Sequence, residues 1–231
     1  MERFDLTSKV IDLRLHGLTP KQIAKTLGMR RAEVEPILRE HAQGIARTAA
    51  TPAVVGCWAS PGWSCGLRWE GHPDWHDDCP VHEEAIPRLA SVLIAREHRY
   101  GRVSVCGYLV DSHCLGVKNA IGPRIIERVE LSEFQHTYFS TYDEPPQTVP
   151  LDLAQDLVLG AVDYARRLGF APRPDFEVCR EHLGGWAGPS AIEFGYRGKP
   201  CFIPGPHDDA PAILSTLERA VGRGNFTYLA M

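Results

Sequence analysis

The sequence predicts an α+β protein: a small N-terminal helical bundle followed by a larger mixed α/β domain with a central buried strand. Three observations predict it. Apolar residues in the first forty positions recur at helical spacing, with capping residues between the runs. Residues 103–110 form a β-rich run that is apolar on both alternating faces, as in a strand covered on both sides. Strands and helices elsewhere are mixed without the strict alternation of a parallel α/β sheet.

In the first helical run, Leu6, Val10, Ile11, Leu13 and Leu15 supply the apolar positions and Gly17 closes the helix. Thr19-Pro20-Lys21-Gln22 then reads as a helix start. Threonine is a good N-cap, proline suits the first helical position, and glutamine three residues after threonine completes a capping box. Ile23, Ala24 and Leu27 form the inner face of this short helix, and Gly28 provides a tight turn. A third helix follows with Val34, Ile37 and Leu38 inward.

Residues 5–42, and above all Gly17 to Met29 with its Gln22-Ile23-Ala24-x-x-Leu27-Gly28 core, resemble the tri-helical helix-turn-helix units of sigma factors, response regulators and resolvases. The resemblance implies that the third helix enters the major groove of DNA. Lys21, Arg30, Arg31 and Arg39 would then be the nucleic-acid-binding residues. Three features depart from the pattern. Arg30 replaces the usual Ser or Thr cap, Glu33 and Glu35 put acids on the reading surface, and Pro36 lacks a backbone donor.

Charge is divided unevenly along the chain. Residues 1–47 carry nine Lys/Arg against six Asp/Glu, so with a whole-chain net charge of −4 the remainder carries −7. A mildly basic head on an acidic body suits a nucleic-acid-binding head. The domain boundary is placed at 46/47, giving a helix-turn-helix over 1–46 and an α+β domain over 47–231. The small, polar stretch 42–53 serves as the linker.

Four of the five tryptophans fall between Trp58 and Trp75, among cysteines and histidines. Cys57, Cys65, Cys79 and His82 are the candidate metal ligands, and zinc would be the cofactor. Only Cys79-Pro80-Val81-His82 has the close spacing of a structural zinc knuckle. The competing readings are an aromatic-rich loop with cysteines acting as small hydrophobes, and a ligand- or nucleotide-stacking surface of tryptophans interleaved with Arg68 and histidines. The seven cysteines are an odd number, scattered along the chain, and read as free, mostly buried thiols.

Downstream, residues 83–98 carry Ile86, Leu89, Ala90, Leu93 and Ile94 at helical spacing and predict a helix ending by Gly101. Residues 103–110 are the central strand, in which Gly107 marks a close approach of backbone or ligand. The strand stops at 111–119. Helices are predicted at 131–140, 151–168, 175–183 and 211–221, with Gly169 ending the second of these. Residues 192–203 read as a hairpin turning at Arg197-Gly198-Lys199, and 225–229 as a closing strand.

Polar residues leaving the end of a central strand are a recurring site geometry. Asp111, His113 and Cys114 fit it, with Cys114 as the candidate nucleophile. A base would come from the Pro/Gly-fixed loop 204–209, where His207 and Asp208 (or Asp209) stand, or from His136. No phosphate loop, nucleophile elbow or zinc-protease motif is present. The charged N-terminus and the lack of a long apolar run predict a cytoplasmic protein with no membrane partner.

The leading expectation is a regulator. Its head would bind double-stranded DNA, and its body would bind a small-molecule effector or form a homodimer. The alternatives are a thiol- or metal-assisted hydrolase with an accessory helical head, and a protein-interaction adaptor.

Overall fold

The computed structural model describes residues 2–15, 18–38, 52–69 and 89–229. The chain divides into two compact units, Met1–Thr51 and Pro52–Met231. The sequence-based boundary at 46/47 and all but the last two residues of the linker 42–53 lie outside the described residues.

The described residues of the first unit form three helices: α1 (Glu2–Leu15), α2 (Pro20–Leu27) and α3 (31–38). The capping box forms as its spacing dictates. Thr19 Oγ1 accepts from the Gln22 N–H at 3.3 Å, and Gln22 Oε1 accepts from the Thr19 N–H at 2.8 Å. Two of the orphan donors at the start of α2 are thereby satisfied. Gly28 ends α2 at φ 65°, a left-handed conformation that favours glycine. Val10, Ile23, Ala24 and Val34 are buried, with Leu13, Leu27, Ile37 and Leu38 packed around them. α3 runs through Pro36 to residue 38.

The second unit is mixed α+β. Its antiparallel five-stranded sheet has the order β4-β3-β2-β1-β5. The strands are β1 (Val54–Ala59), β2 (Leu89–Glu97), β3 (Arg102–Asp111), β4 (Gly116–Glu127) and β5 (Gln147–Thr148). One face carries Leu93, Ala95, Val103, Val105 and Ile126 against α4 (Leu131–Tyr138) and Phe139. The opposite face carries Val92, Ile94, Cys106, Tyr108 and Val110 against α5 (Leu151–Arg167) and α6 (Pro174–Leu183). The alternation of side chains along β2 and β3 therefore feeds two cores. At the C-terminal end, β6 (Cys201–Phe202) pairs in parallel with β7 (Thr227–Tyr228). α7 (Ala210–Val221) packs beside them, its N–H at Ala212 capped by Asp209.

Two expectations are corrected here. Residues 89–97 are strand β2, not helix, while 83–88 lie outside the described residues. β2 is buried at every position from Ala90 to Arg96, so no period-two alternation shows. Its Leu and Ala content mimics a helical stripe. The hairpin at 192–203 is also only partly formed. Arg197 (φ 53°) and Gly198 (φ 79°) make the turn, bridged by Tyr196 and Lys199. Its arms then part: Glu193 bridges to Arg68 and Cys201–Phe202 joins β7. No described helix is long and apolar enough to cross a membrane.

One buried charge ties the layers of this unit together. Arg96 on β2 is only 4% exposed. Its guanidinium donates to the carbonyls of His182 (2.6 Å), Leu183 (2.8 Å) and Pro52 (2.8 Å). Two of these acceptors are the last carbonyls of α6, the negative end of that helix. Backbone dipoles therefore replace a counter-ion. Burial lowers the Arg96 pKa from its ordinary value.

Candidate functional site

The strand end at 111–114 is a structural junction. The Asp111 carboxylate, buried, accepts from the N–H groups of His113 (3.1 Å) and Cys114 (3.0 Å) and so fixes the turn between β3 and β4. His113 Nε2–H donates to the Cys65 carbonyl at 2.7 Å, and the ring meets Tyr196 edge-on at 5.6 Å. The carbonyls of Ser112 and His113 accept from Gly195 and Cys201. Gly116 completes the turn at φ 69°, where a Cβ would press on α5 at Ala165 and Ala161. Burial lowers the His113 pKa and holds the ring neutral, leaving its Nδ1 without a partner.

Cys114 lies inside this junction, fully buried beside Leu168, Phe202 and Leu217. Burial first, then the charge of Asp111, pushes its thiol well above the ordinary value. A nucleophile needs the thiolate, and this setting favours the thiol. Asp208 is brought close by Lys118 on β4, whose ammonium pairs with its carboxylate at 2.6 Å. The same carboxylate accepts from the Gly205 N–H at 2.8 Å, so it pins the loop 204–209 to the sheet. His207 on that loop, Asp209 and His136 on α4 are exposed. Cys114 and Asp208 share a neighbourhood organised by packing and by Lys118.

Of the metal candidates, Cys79 and His82 lie outside the described residues. Cys57 is on β1 in the apolar core, its thiol pushed up to about 11 by burial. Cys65 is disulfide-bonded, which corrects the expectation that all the thiols are free; an odd cysteine count does not preclude a bridge. Among the described residues Cys57, Cys106, Cys114, Cys179 and Cys201 form no disulfide. No group of three or more His, Cys, Asp or Glu among the described residues is arranged to hold a metal ion.

In the first unit, Lys21 is exposed at the start of α2. Arg30 and Arg31 are exposed at the start of α3, at 83% and 69%. Each folds back on an acid of its own helix, Arg30 on Glu33 at 2.7 Å and Arg31 on Glu35 at 2.6 Å. Glu33 also accepts from the Arg30 N–H at 2.8 Å. The acid that departs from the helix-turn-helix pattern thus supplies the reciprocal half of a capping box, although Arg30 has no side-chain acceptor for the Glu33 N–H. Arg39 lies outside the described residues.

A concavity with a volume of about 470 Å³ lies elsewhere, between β4 and α4. Glu130, Glu133, Phe134, Thr137 and Tyr138 line it from the helical side, at the i, i+3, i+4, i+7, i+8 spacing of one helix face. Ile121, Arg124 and Ile126 line it from the strand. In a regular strand Ile121 would face away from Arg124. The β3–β4 register slips between Val105 and Gly107, where one extra β4 residue is accommodated. That bulge brings Ile121 to the same face as Arg124. The Arg124 guanidinium lies over the Phe134 ring at 5.6 Å. A second cavity of about 170 Å³ adjoins at Ile121 and Tyr138 and reaches Ser91 and Asn119. Sequence reasoning missed this groove. The only signal for it was the helical stripe of acids and aromatics at 130–138.

Compared with protein-family models, curated proteins and solved structures, the chain matches none.

Proposed function

We propose that the first unit is a helix-turn-helix that binds duplex DNA, and that the α+β unit is its effector-binding partner in a cytoplasmic regulator. The observation that carries the reading is local. A capping box starts α2, a left-handed glycine ends it, and a following helix opens with two exposed arginines. This is the order of parts that lets a second and third helix cross closely and presents the start of the third.

The intrahelical pairs of Arg30 and Arg31 are compatible with that role. Exposed ion pairs are held weakly and are screened by salt. A polyphosphate backbone competes effectively for the same guanidinium groups. The groove in the second unit supplies a place for an effector.

The test is fluorescence anisotropy of a labelled random-sequence duplex with the full-length protein over a range of salt. Binding that weakens steeply with salt is expected, and Lys21→Ala, Arg30→Ala and Arg31→Ala should each lower the salt slope by about 1. No binding at low salt, or binding indifferent to all three substitutions, overturns the reading.

A further inference from the structure

We propose that the groove between β4 and α4 binds a small zwitterion with an apolar body, the chemistry of a free α-amino acid with a large side chain. This rests on reading the second unit as effector-binding. The cavity of about 470 Å³ has the size of a small-molecule pocket, and its walls set four large apolar or aromatic side chains beside Arg124, Glu130, Glu133 and Thr137. Ile121 and Ile126 form the strand wall, and Phe134 and Tyr138 the helix wall.

The charges narrow the ligand further. Arg124 meets the Phe134 ring but pairs with no carboxylate among the described residues, and Glu133 pairs with no cation among them. Glu130, also on the rim, commits one oxygen to the Glu127 N–H at 3.0 Å. The groove thus offers an uncommitted cation on its strand side and an uncommitted carboxylate on its helix side. A simple carboxylate would leave Glu133 unanswered, and a simple amine would leave Arg124 so. A molecule carrying both groups answers both, its carboxylate on the guanidinium and its ammonium on Glu133. Its side chain then lies on Ile121, Ile126 and Tyr138. The adjoining cavity of about 170 Å³ leaves room for a large side chain. Residues inside a peptide chain lack both free termini, so the charge pattern favours the free amino acid over a peptide.

The experiment is titration calorimetry on the full-length protein with L-phenylalanine, L-tryptophan and L-leucine. Two truncated analogues accompany them: 3-phenylpropionate, which lacks the ammonium, and 2-phenylethylamine, which lacks the carboxylate. Saturable binding of at least one amino acid is expected, with both analogues weaker by about tenfold or more. Arg124→Gln and Glu133→Gln should each weaken binding similarly, and thermal melts should show both variants folded, since both side chains are exposed. No saturable binding at millimolar concentrations overturns the proposal. So does equal binding of either analogue, or binding indifferent to both substitutions. Duplex binding is measured on the same preparation without amino acid. If it is absent while an amino acid binds, the DNA reading fails and the pocket stands; the converse result removes the pocket alone.

Discussion

Tyr138 occupies the space that a side chain on Gly107 would need: a Cβ built on Gly107 would stand 2.5 Å from Cε2 of the tyrosine ring. The single hydroxyl proton is shared between the carbonyls of Tyr108 (3.2 Å) and Val92 (3.3 Å). Gly107→Ala should therefore displace Tyr138 and cost about 1–3 kcal/mol, as overpacking does. Urea unfolding measures it. Tyr138→Leu in the same background should recover part of the loss; a purely additive double-mutant cycle would disprove the steric origin.

Arg96→Met should destabilise the second unit by about 1–3 kcal/mol, because buried carbonyls of Pro52 and α6 lose their donor. Arg96→Lys should recover only part, since a single ammonium does not reproduce the guanidinium fork. Denaturant unfolding of the three proteins, compared at equal m-value, checks the order.

Acid should loosen the contact between α6 and β3. His182 Nε2–H donates to the Ser104 carbonyl at 3.1 Å, while its Nδ1 is buried without a partner. Burial, with the Arg96 charge nearby, lowers its pKa to about 4. The unfolded chain thus takes up this proton at higher pH than the folded one. The contribution is present in full above about pH 6.5 and is lost as pH falls toward 4. Allowing for partial exposure, the loss is on the order of 2 kcal/mol. Urea midpoints measured between pH 7 and 4 should show it, and His182→Gln should flatten the curve over that interval.

Thiol chemistry separates packing from catalysis at Cys114. Iodoacetamide should alkylate Cys114 no faster than Cys106, and both only on unfolding, because burial disfavours each thiolate. Peptide mass spectrometry of native and urea-treated samples reads this directly. Rapid native labelling confined to Cys114 would reinstate it as a nucleophile.

The elements legible in the sequence are those whose signals are local. α2 is announced by Thr19, Pro20 and Gln22, and α5 by its apolar face and by Gly169. β3 shows in its β-rich run. β2 was illegible because its Leu, Ala and Ile positions also fit helical spacing, whereas β3, covered on both faces as well, carries the valines and tyrosine that mark a strand. β4 was illegible because Gly116, Lys118, Asn119, Gly122 and Pro123 have the composition of a loop. Arg96 gave no sign of burial, since its partners are carbonyls from distant segments. At the strand end, Asp111, His113 and Cys114 stood out in the sequence as polar groups leaving a strand. The sequence could not tell a catalytic cluster from a junction, because that difference lies in which backbone groups arrive from 65 and 195–201.

The bulge in β4 has a consequence for how this protein meets other chains. A five-stranded sheet has two open borders, and long flat borders invite foreign strands to add on. Here one border is β5, only two residues long. The other is β4, whose ladder slips twice along its length. Pro123 stands near the second slip and has no N–H to offer an incoming strand. Neither border can template a long regular ladder. Among the described residues, both borders of this sheet therefore disfavour the addition of a strand from a second copy.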